Sequence, residues 1–97
     1  MNADINWTGT WETNYGKVML GQTKNIVTGV YILKEGRIEG LALDDRLSGK
    51  WSEAPSYASP NDAGEFEIHM DKSGRSFQGK WWKLSSLNGK EWTGRKV

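Results

Sequence analysis

The sequence contains no cysteine, only two prolines and a single histidine. Without cysteine, a disulfide framework and a zinc–thiolate site are excluded. No apolar stretch approaches the roughly 20 residues of a membrane-spanning helix, and the first residues lack the basic and apolar regions of a signal peptide. We therefore expect a protein that does not engage a membrane and is cytoplasmic by default.

Neither sign of charge is in excess. The 13 Lys and Arg residues against 12 Asp and Glu give a formal net charge of +1. No basic cluster is present that could follow a phosphate backbone, so nucleic acid is not an expected partner. The aromatic content of 11% is unlike that of a disordered chain. Ninety-seven residues fit one domain, and we expect residues 1–97 to fold as a single unit.

The chain is rich in glycine and tryptophan, with twelve and six residues of each. They recur in a short unit of glycine, any residue and an aromatic residue. Because residues two apart on a strand share a face, each glycine lies beside a ring, and that ring can cover the bare backbone of a neighbouring strand. The unit occurs at Gly9-Thr10-Trp11, Gly29-Val30-Tyr31, Gly49-Lys50-Trp51 and Gly79-Lys80-Trp81.

Apolar and polar residues alternate along most of the chain, as in half-buried strands. Gly, Asn and Asp in the short intervals indicate tight hairpins, including one at 87–90. Short connections predict antiparallel neighbours, and eight strands close well. The predicted fold is all-β, an antiparallel up-and-down (meander) barrel of about eight short strands. The predicted strands are 6–13, 16–22, 25–33, 36–43, 46–53, 64–71, 75–84 and 90–96.

The segment 54–64 is the longest without a strand pattern and holds both prolines. Loops of this length are often functional, but the favoured interpretation is a plain surface excursion that closes one end of the barrel.

The start of the chain resembles the avidin family. Thr8-Gly9-Thr10-Trp11, the following Gly16 and the strand Thr28-Gly29-Val30-Tyr31 are similar to the opening strands of those barrels. The resemblance implies a barrel. The family's biotin-holding asparagine and serine correspond here to Thr13 and Lys17, so it does not imply biotin binding. The whole pattern also resembles small tryptophan- and glycine-rich prokaryotic domains of unassigned function.

Five tryptophans fall on the predicted inward face: Trp7, Trp11, Trp51, Trp81 and Trp92. They either fill the barrel or line a cavity that binds a small apolar or carbohydrate ligand. In the second interpretation, of avidin or lipocalin type, segment 54–64 is a lid. The candidate lumen or rim residues are Trp11, Tyr31, Trp51, Trp81 and Tyr57. Trp82 alternates outward, where it could stack on a partner or cap a rim.

Several apolar residues are predicted to face outward on strands two to four. No predicted helix could cover them, so a second copy of the chain is the simplest cover, and a dimer is favoured among homo-oligomers. A flattened barrel in which some of these side chains turn inward is the alternative. The candidate self-association residues are Met19, Val30, Ile32, Leu41 and Leu43.

Few side chains in the sequence form a pattern that predicts catalysis or metal binding. His69 shares a strand face with Glu65, Glu67 and Asp71, but residues along one strand diverge, so we expect a solvated face and no metal site. No nucleophile motif, phosphate loop or cofactor fingerprint occurs. We expect no catalytic residues and no cofactor. The leading interpretation is a non-catalytic, self-associating binding or interaction module, the second is a small-ligand barrel, and the third is a hydrolase that uses surface carboxylates.

Overall fold

The computed structural model describes residues 5–84 and 86–97, with Leu87 as backbone only. These residues form eight strands joined in chain order into one closed antiparallel barrel, with the last strand paired to the first. This confirms the predicted all-β meander barrel. The strands are β1 Gly9–Thr13, β2 Gly16–Thr23, β3 Ile26–Tyr31, β4 Gly36–Leu43, β5 Arg46–Ser52, β6 Ala63–Met70, β7 Ser76–Lys83 and β8 Ser86–Lys96.

Three boundaries differ from the prediction by two residues or more. β1 begins at Gly9, whose φ of +144° breaks the extended run, so residues 6–8 leave the ladder. β3 ends at Tyr31 and a short 3₁₀ turn follows at Leu33–Glu35. β8 begins at Ser86, four residues before the predicted start, so the predicted turn at 87–90 is wrong.

A β-bulge lies where the sequence predicted the turn at 87–90. Trp81 pairs with Lys90 and Lys83 with Ser86, so β8 carries two more residues than β7 over this interval. Asparagine and glycine suit irregular backbone in a bulge as well as in a hairpin, which is why the sequence signal indicated the wrong feature.

The barrel interior is a column of aromatic rings. Of the five tryptophans predicted to face inward, four are at most 7% exposed and Trp81 is partly buried against the core. Phe77 and Phe66 both pack on Trp92 with ring centroids 5.4 Å apart, which joins the last three strands inside the barrel. Edge-to-face pairs of this kind add about 0.5–1.5 kcal/mol each beyond the area they bury.

Rings also cover glycines on neighbouring strands, as the recurrent unit predicts. The Trp51 indole lies over Gly64, and the Tyr31 ring occupies the space that a β-carbon on Gly36 would need. Phe77 covers Gly94 in the same way. Close packing of ring on backbone lets a barrel of this diameter hold large aromatic side chains.

The 53–62 connection runs along the outside of the barrel as a series of turns. The Glu53 and Ala54 amides donate to the carbonyls of Asp62 and Lys34, which fastens the loop at both sides of its base. Within the described part of the chain, no helix is long and apolar enough to cross a bilayer.

Candidate functional site

The two ends of the barrel are built differently. The Trp7 side chain, which precedes β1, is fully buried and packs 5.9 Å from Trp11 and 6.0 Å from Phe77 between ring centroids. The Trp7 carbonyl accepts the indole N–H of Trp11 at 2.9 Å, and its amide donates to Gln22 Oε1 at 2.9 Å. This end is therefore plugged by the chain's own first tryptophan.

The opposite end, where the β1–β2, β3–β4, β5–β6 and β7–β8 connections lie, holds a cavity of about 260 Å³. At about 30 Å³ per water, that volume equals roughly nine water molecules, so it suits a small ligand rather than a drug-sized one. We name this the mouth cavity. Its lining residues are Tyr15, Val18, Tyr31, Leu33, Lys34, Trp51, Glu53, Trp81, Lys83 and Trp92.

Five of its ten lining residues are aromatic, and the rings that touch stand at steep angles to one another. The Trp81 ring lies 5.4 Å from Trp51 at an interplanar angle of 85°, and 5.7 Å from Tyr15 at 79°. The Trp51 indole is held in place because its N–H donates to the Trp82 carbonyl at 3.2 Å and its face covers Gly64. The Trp51 part of the wall is thus held by the barrel itself.

One corner of the mouth cavity is polar. The Tyr31 hydroxyl donates to Glu53 Oε2 at 2.6 Å. Burial of the phenol, followed by the hydrogen bond to Glu53 and the charge of that carboxylate, raises the pKa of Tyr31 well above its ordinary value. Glu53 is anchored through its backbone, because its carbonyl accepts the Tyr57 amide at 2.8 Å and its amide donates to Asp62.

Two lysines, the exposed Lys34 and the half-buried Lys83, complete the lining. Both act on Asp62 in the outer loop. Hydrogen bonds from Ser56 are the main cause of the lowered pKa of Asp62, and the positive charges of the two lysines lower it further. The cavity's surroundings therefore carry two positive and two negative groups.

The predicted lumen and rim residues are divided between three places. Tyr31, Trp51 and Trp81 are brought together in the mouth cavity. Trp11 packs at the plugged end. Tyr57 lies on the outer side of the barrel, where Arg37 stacks 4.2 Å from the centre of its ring. No residue of segment 54–64 lines the mouth cavity, so the loop does not take the predicted place of a lid over it.

Sequence reasoning missed seven lining residues, and most of them lie in or beside hairpin turns. Alternate turns of an up-and-down barrel meet at the same end, so the predicted turns after β1, β3 and β5 already indicated which side chains share a rim. Lys83 follows Trp81 by two residues and shares its inward face. The residues absent from the candidate lumen or rim residues are Tyr15, Val18, Leu33, Lys34, Glu53, Lys83 and Trp92, of which Trp92 is correctly predicted to face inward.

The candidate self-association residues are all exposed, between 47% and 72%. Met19 pairs with Val30, whereas Leu41 pairs with Ile26, which is also exposed. Between these two apolar pairs runs a row of polar outward positions that includes Thr28 and Glu39, so the expected patch is interrupted in the middle. The candidate residues are Met19, Val30, Ile32, Leu41 and Leu43.

The single histidine has carboxylates nearby but no metal-binding arrangement. His69 Nε2 lies 3.1 Å from Glu67 Oε2, and Nδ1 lies 4.0 Å from Asp45 Oδ1, all three side chains being about half exposed. Glu65 instead accepts the Trp82 indole N–H, and Asp71 accepts Ser73 and Ser76 within its own turn. Among the residues described, no group of three or more His, Asp or Glu is placed to hold a metal ion.

No protein-family model matches the sequence, and neither a curated protein nor a solved structure matches it.

Proposed function

We propose that this chain is a non-catalytic binding module whose barrel mouth takes a small ligand with apolar surface. The single observation that carries the proposal is the contrast between the two ends: one is plugged by Trp7, while the other keeps an aromatic-walled cavity of about 260 Å³. Concave, mostly apolar sites with a few polar groups are where small molecules bind.

Binding is favoured over hydrolysis by the polar groups of the same cavity. Glycoside hydrolysis needs two carboxyl groups on either side of the scissile bond. Glu53 is the only acid among the described residues that line the mouth cavity, and one of its oxygens accepts the Tyr31 hydroxyl. This arrangement can orient a ligand, but it lacks the second carboxyl group.

The experiment compares two adjacent tryptophans. Trp81 lines the mouth cavity and Trp82 faces outward on the same strand, so Trp81→Leu and Trp82→Leu are a matched pair. Phenol, methyl glucoside and glycine betaine are titrated while the indole N–H resonances are followed by NMR. We expect a probe to shift the Trp51, Trp81 and Trp92 signals, and we expect Trp81→Leu alone to abolish binding. If no probe moves these signals, or if both variants bind equally, the mouth cavity is not the binding site.

The second candidate function is self-association, favoured by the exposed apolar pairs on β2 to β4. A two-fold axis through the intervening polar row would place the Met19–Val30 pair of one copy on the Ile26–Leu41 pair of the other, as an isologous interface requires. The occupant of this surface is then a second copy of the chain.

Sedimentation velocity over a range of concentrations tests the second candidate. We expect a dimer whose dissociation constant rises when Leu41→Lys is introduced, with Lys24→Glu in the β2–β3 turn as the control. A monomer at high micromolar concentration, or a dimer that tolerates Leu41→Lys, refutes the interface.

A further inference from the structure

The mouth cavity is shaped for a compact group rather than a flat one. A flat ring stacks best between two parallel walls, but Trp51 and Trp81 meet at 85°, and Tyr15 and Trp81 at 79°. Rings at right angles present π faces and edges to one point from several directions. Such a cage contacts a roughly spherical group on more than one side.

One corner of the cage is negative. The faces of Trp and Tyr rings carry negative potential, and the Glu53 carboxylate adds a full charge at the Tyr31 hydroxyl. The Tyr31 hydroxyl donates its only proton in this hydrogen bond, and the raised pKa of Tyr31 keeps that proton in place at ordinary pH. Together these groups attract a cation that has apolar surface of its own, which is the description of a methylated ammonium group.

The lining of the cavity also carries positive charge. Lys34 is exposed and Lys83 is half-buried, and each belongs to the lining. A simple cation is repelled by these two ammonium groups, although Asp62 offsets part of their charge. A ligand that carries an acid group at a short distance from its ammonium group turns that repulsion into attraction.

We propose that the mouth cavity binds a small zwitterion, with a trimethylammonium group in the aromatic cage beside Glu53 and an acid group at Lys34 and Lys83. This inference rests on the proposed function and names its ligand class. The cavity volume, equal to that of roughly nine water molecules, suits a ligand of the size of glycine betaine.

The test compares three probes: glycine betaine, tetramethylammonium, which keeps the cation but lacks the carboxylate arm, and 3,3-dimethylbutanoate. The last has the shape of betaine with carbon in place of the charged nitrogen. Indole N–H shifts report binding to the full chain. We expect betaine to bind more tightly than either of the other two, with a roughly tenfold preference over 3,3-dimethylbutanoate from the cation–π and carboxylate contacts.

Variants that remove a charge from the cavity show which end of the ligand each residue contacts. Glu53→Gln should weaken betaine and tetramethylammonium together, whereas Lys83→Met should weaken betaine but not tetramethylammonium. Lys17→Met, an exposed lysine on β2 outside the cavity lining, is the control and should change neither. Thermal unfolding of each variant checks that it is folded. If Glu53→Gln does not fold, the comparison of the three probes on the wild-type chain decides whether the ligand is a zwitterion.

The outcomes separate the two proposals. If 3,3-dimethylbutanoate binds as tightly as betaine, or if only phenol or methyl glucoside shifts the indole signals, the zwitterion is wrong and the binding function stands. If none of the probes moves any mouth-cavity signal, both proposals fail.

Discussion

The position of Tyr31 depends on the absence of a β-carbon at Gly36, and Gly36→Ala therefore tests how the polar corner is built. The two residues are cross-strand partners, and a β-carbon at Gly36 would overlap the Tyr31 ring. The ring must swing away, which breaks the 2.6 Å hydrogen bond from its hydroxyl to Glu53. We expect this variant to lose both stability and the geometry of the mouth cavity.

The magnitude follows from two contributions. Forcing an extra carbon into a packed site costs about 1–3 kcal/mol. A hydrogen bond to a charged group contributes about 1.5–3 kcal/mol, and we take the lower end because Glu53 is only half-buried. The sum, about 2.5–4.5 kcal/mol, is a large part of the roughly 5–15 kcal/mol that stabilises a typical domain. For a chain of this length, it lowers Tm by roughly 10–35 °C.

Urea denaturation of a double-mutant cycle measures the effect. Gly21→Ala is the matched control, because Gly21 is exposed on β2 and a β-carbon there has no neighbour within 4 Å. It should change the free energy of unfolding by no more than about 0.5 kcal/mol. In a Tyr31→Ala background, Gly36→Ala should cost almost nothing, since the clashing ring is gone. An equal cost of Gly36→Ala in both backgrounds, or a cost no larger than that of Gly21→Ala, would refute the reasoning.

Two further predictions follow from burial. Because the raised pKa of Tyr31 means that the unfolded chain releases this proton first, stability should be complete below about pH 10 and should fall as the pH rises above it. Tyr31→Phe should flatten that alkaline loss in urea denaturation curves recorded at several pH values, and an unchanged slope would contradict the assignment. Trp11→Ala should destabilise the barrel by about 3–5 kcal/mol because Trp11 is fully buried at the plugged end. Trp81→Ala should cost less, since Trp81 is only partly buried and borders the cavity. Equal losses in chemical denaturation would show that the two ends are packed alike.

The properties that could be predicted from sequence are those set by short-range spacing. A period of two places alternate residues on opposite faces of a strand, so the inward positions of Trp11, Trp51 and Trp92 follow from local pattern alone. Short hairpin intervals make neighbouring strands antiparallel, and the glycine–ring units supply the close packing that lets the sheet close. The architecture therefore needed no information from distant residues, except at the β7–β8 bulge, where asparagine and glycine serve either a turn or a bulge.

The height of a residue along the barrel axis was decided by the tertiary structure alone. Trp11 and Trp81 have the same local pattern, yet Trp11 packs under the Trp7 plug and Trp81 borders the mouth cavity. Strand register and the break at Gly9 determine that difference, because they set how far each strand is shifted against its neighbour. The meeting of Tyr31 with Glu53, 22 residues apart, depends on the tertiary structure in part: the predicted turns place both residues at the same end of the barrel, but only the closed barrel brings these two side chains within hydrogen-bond distance.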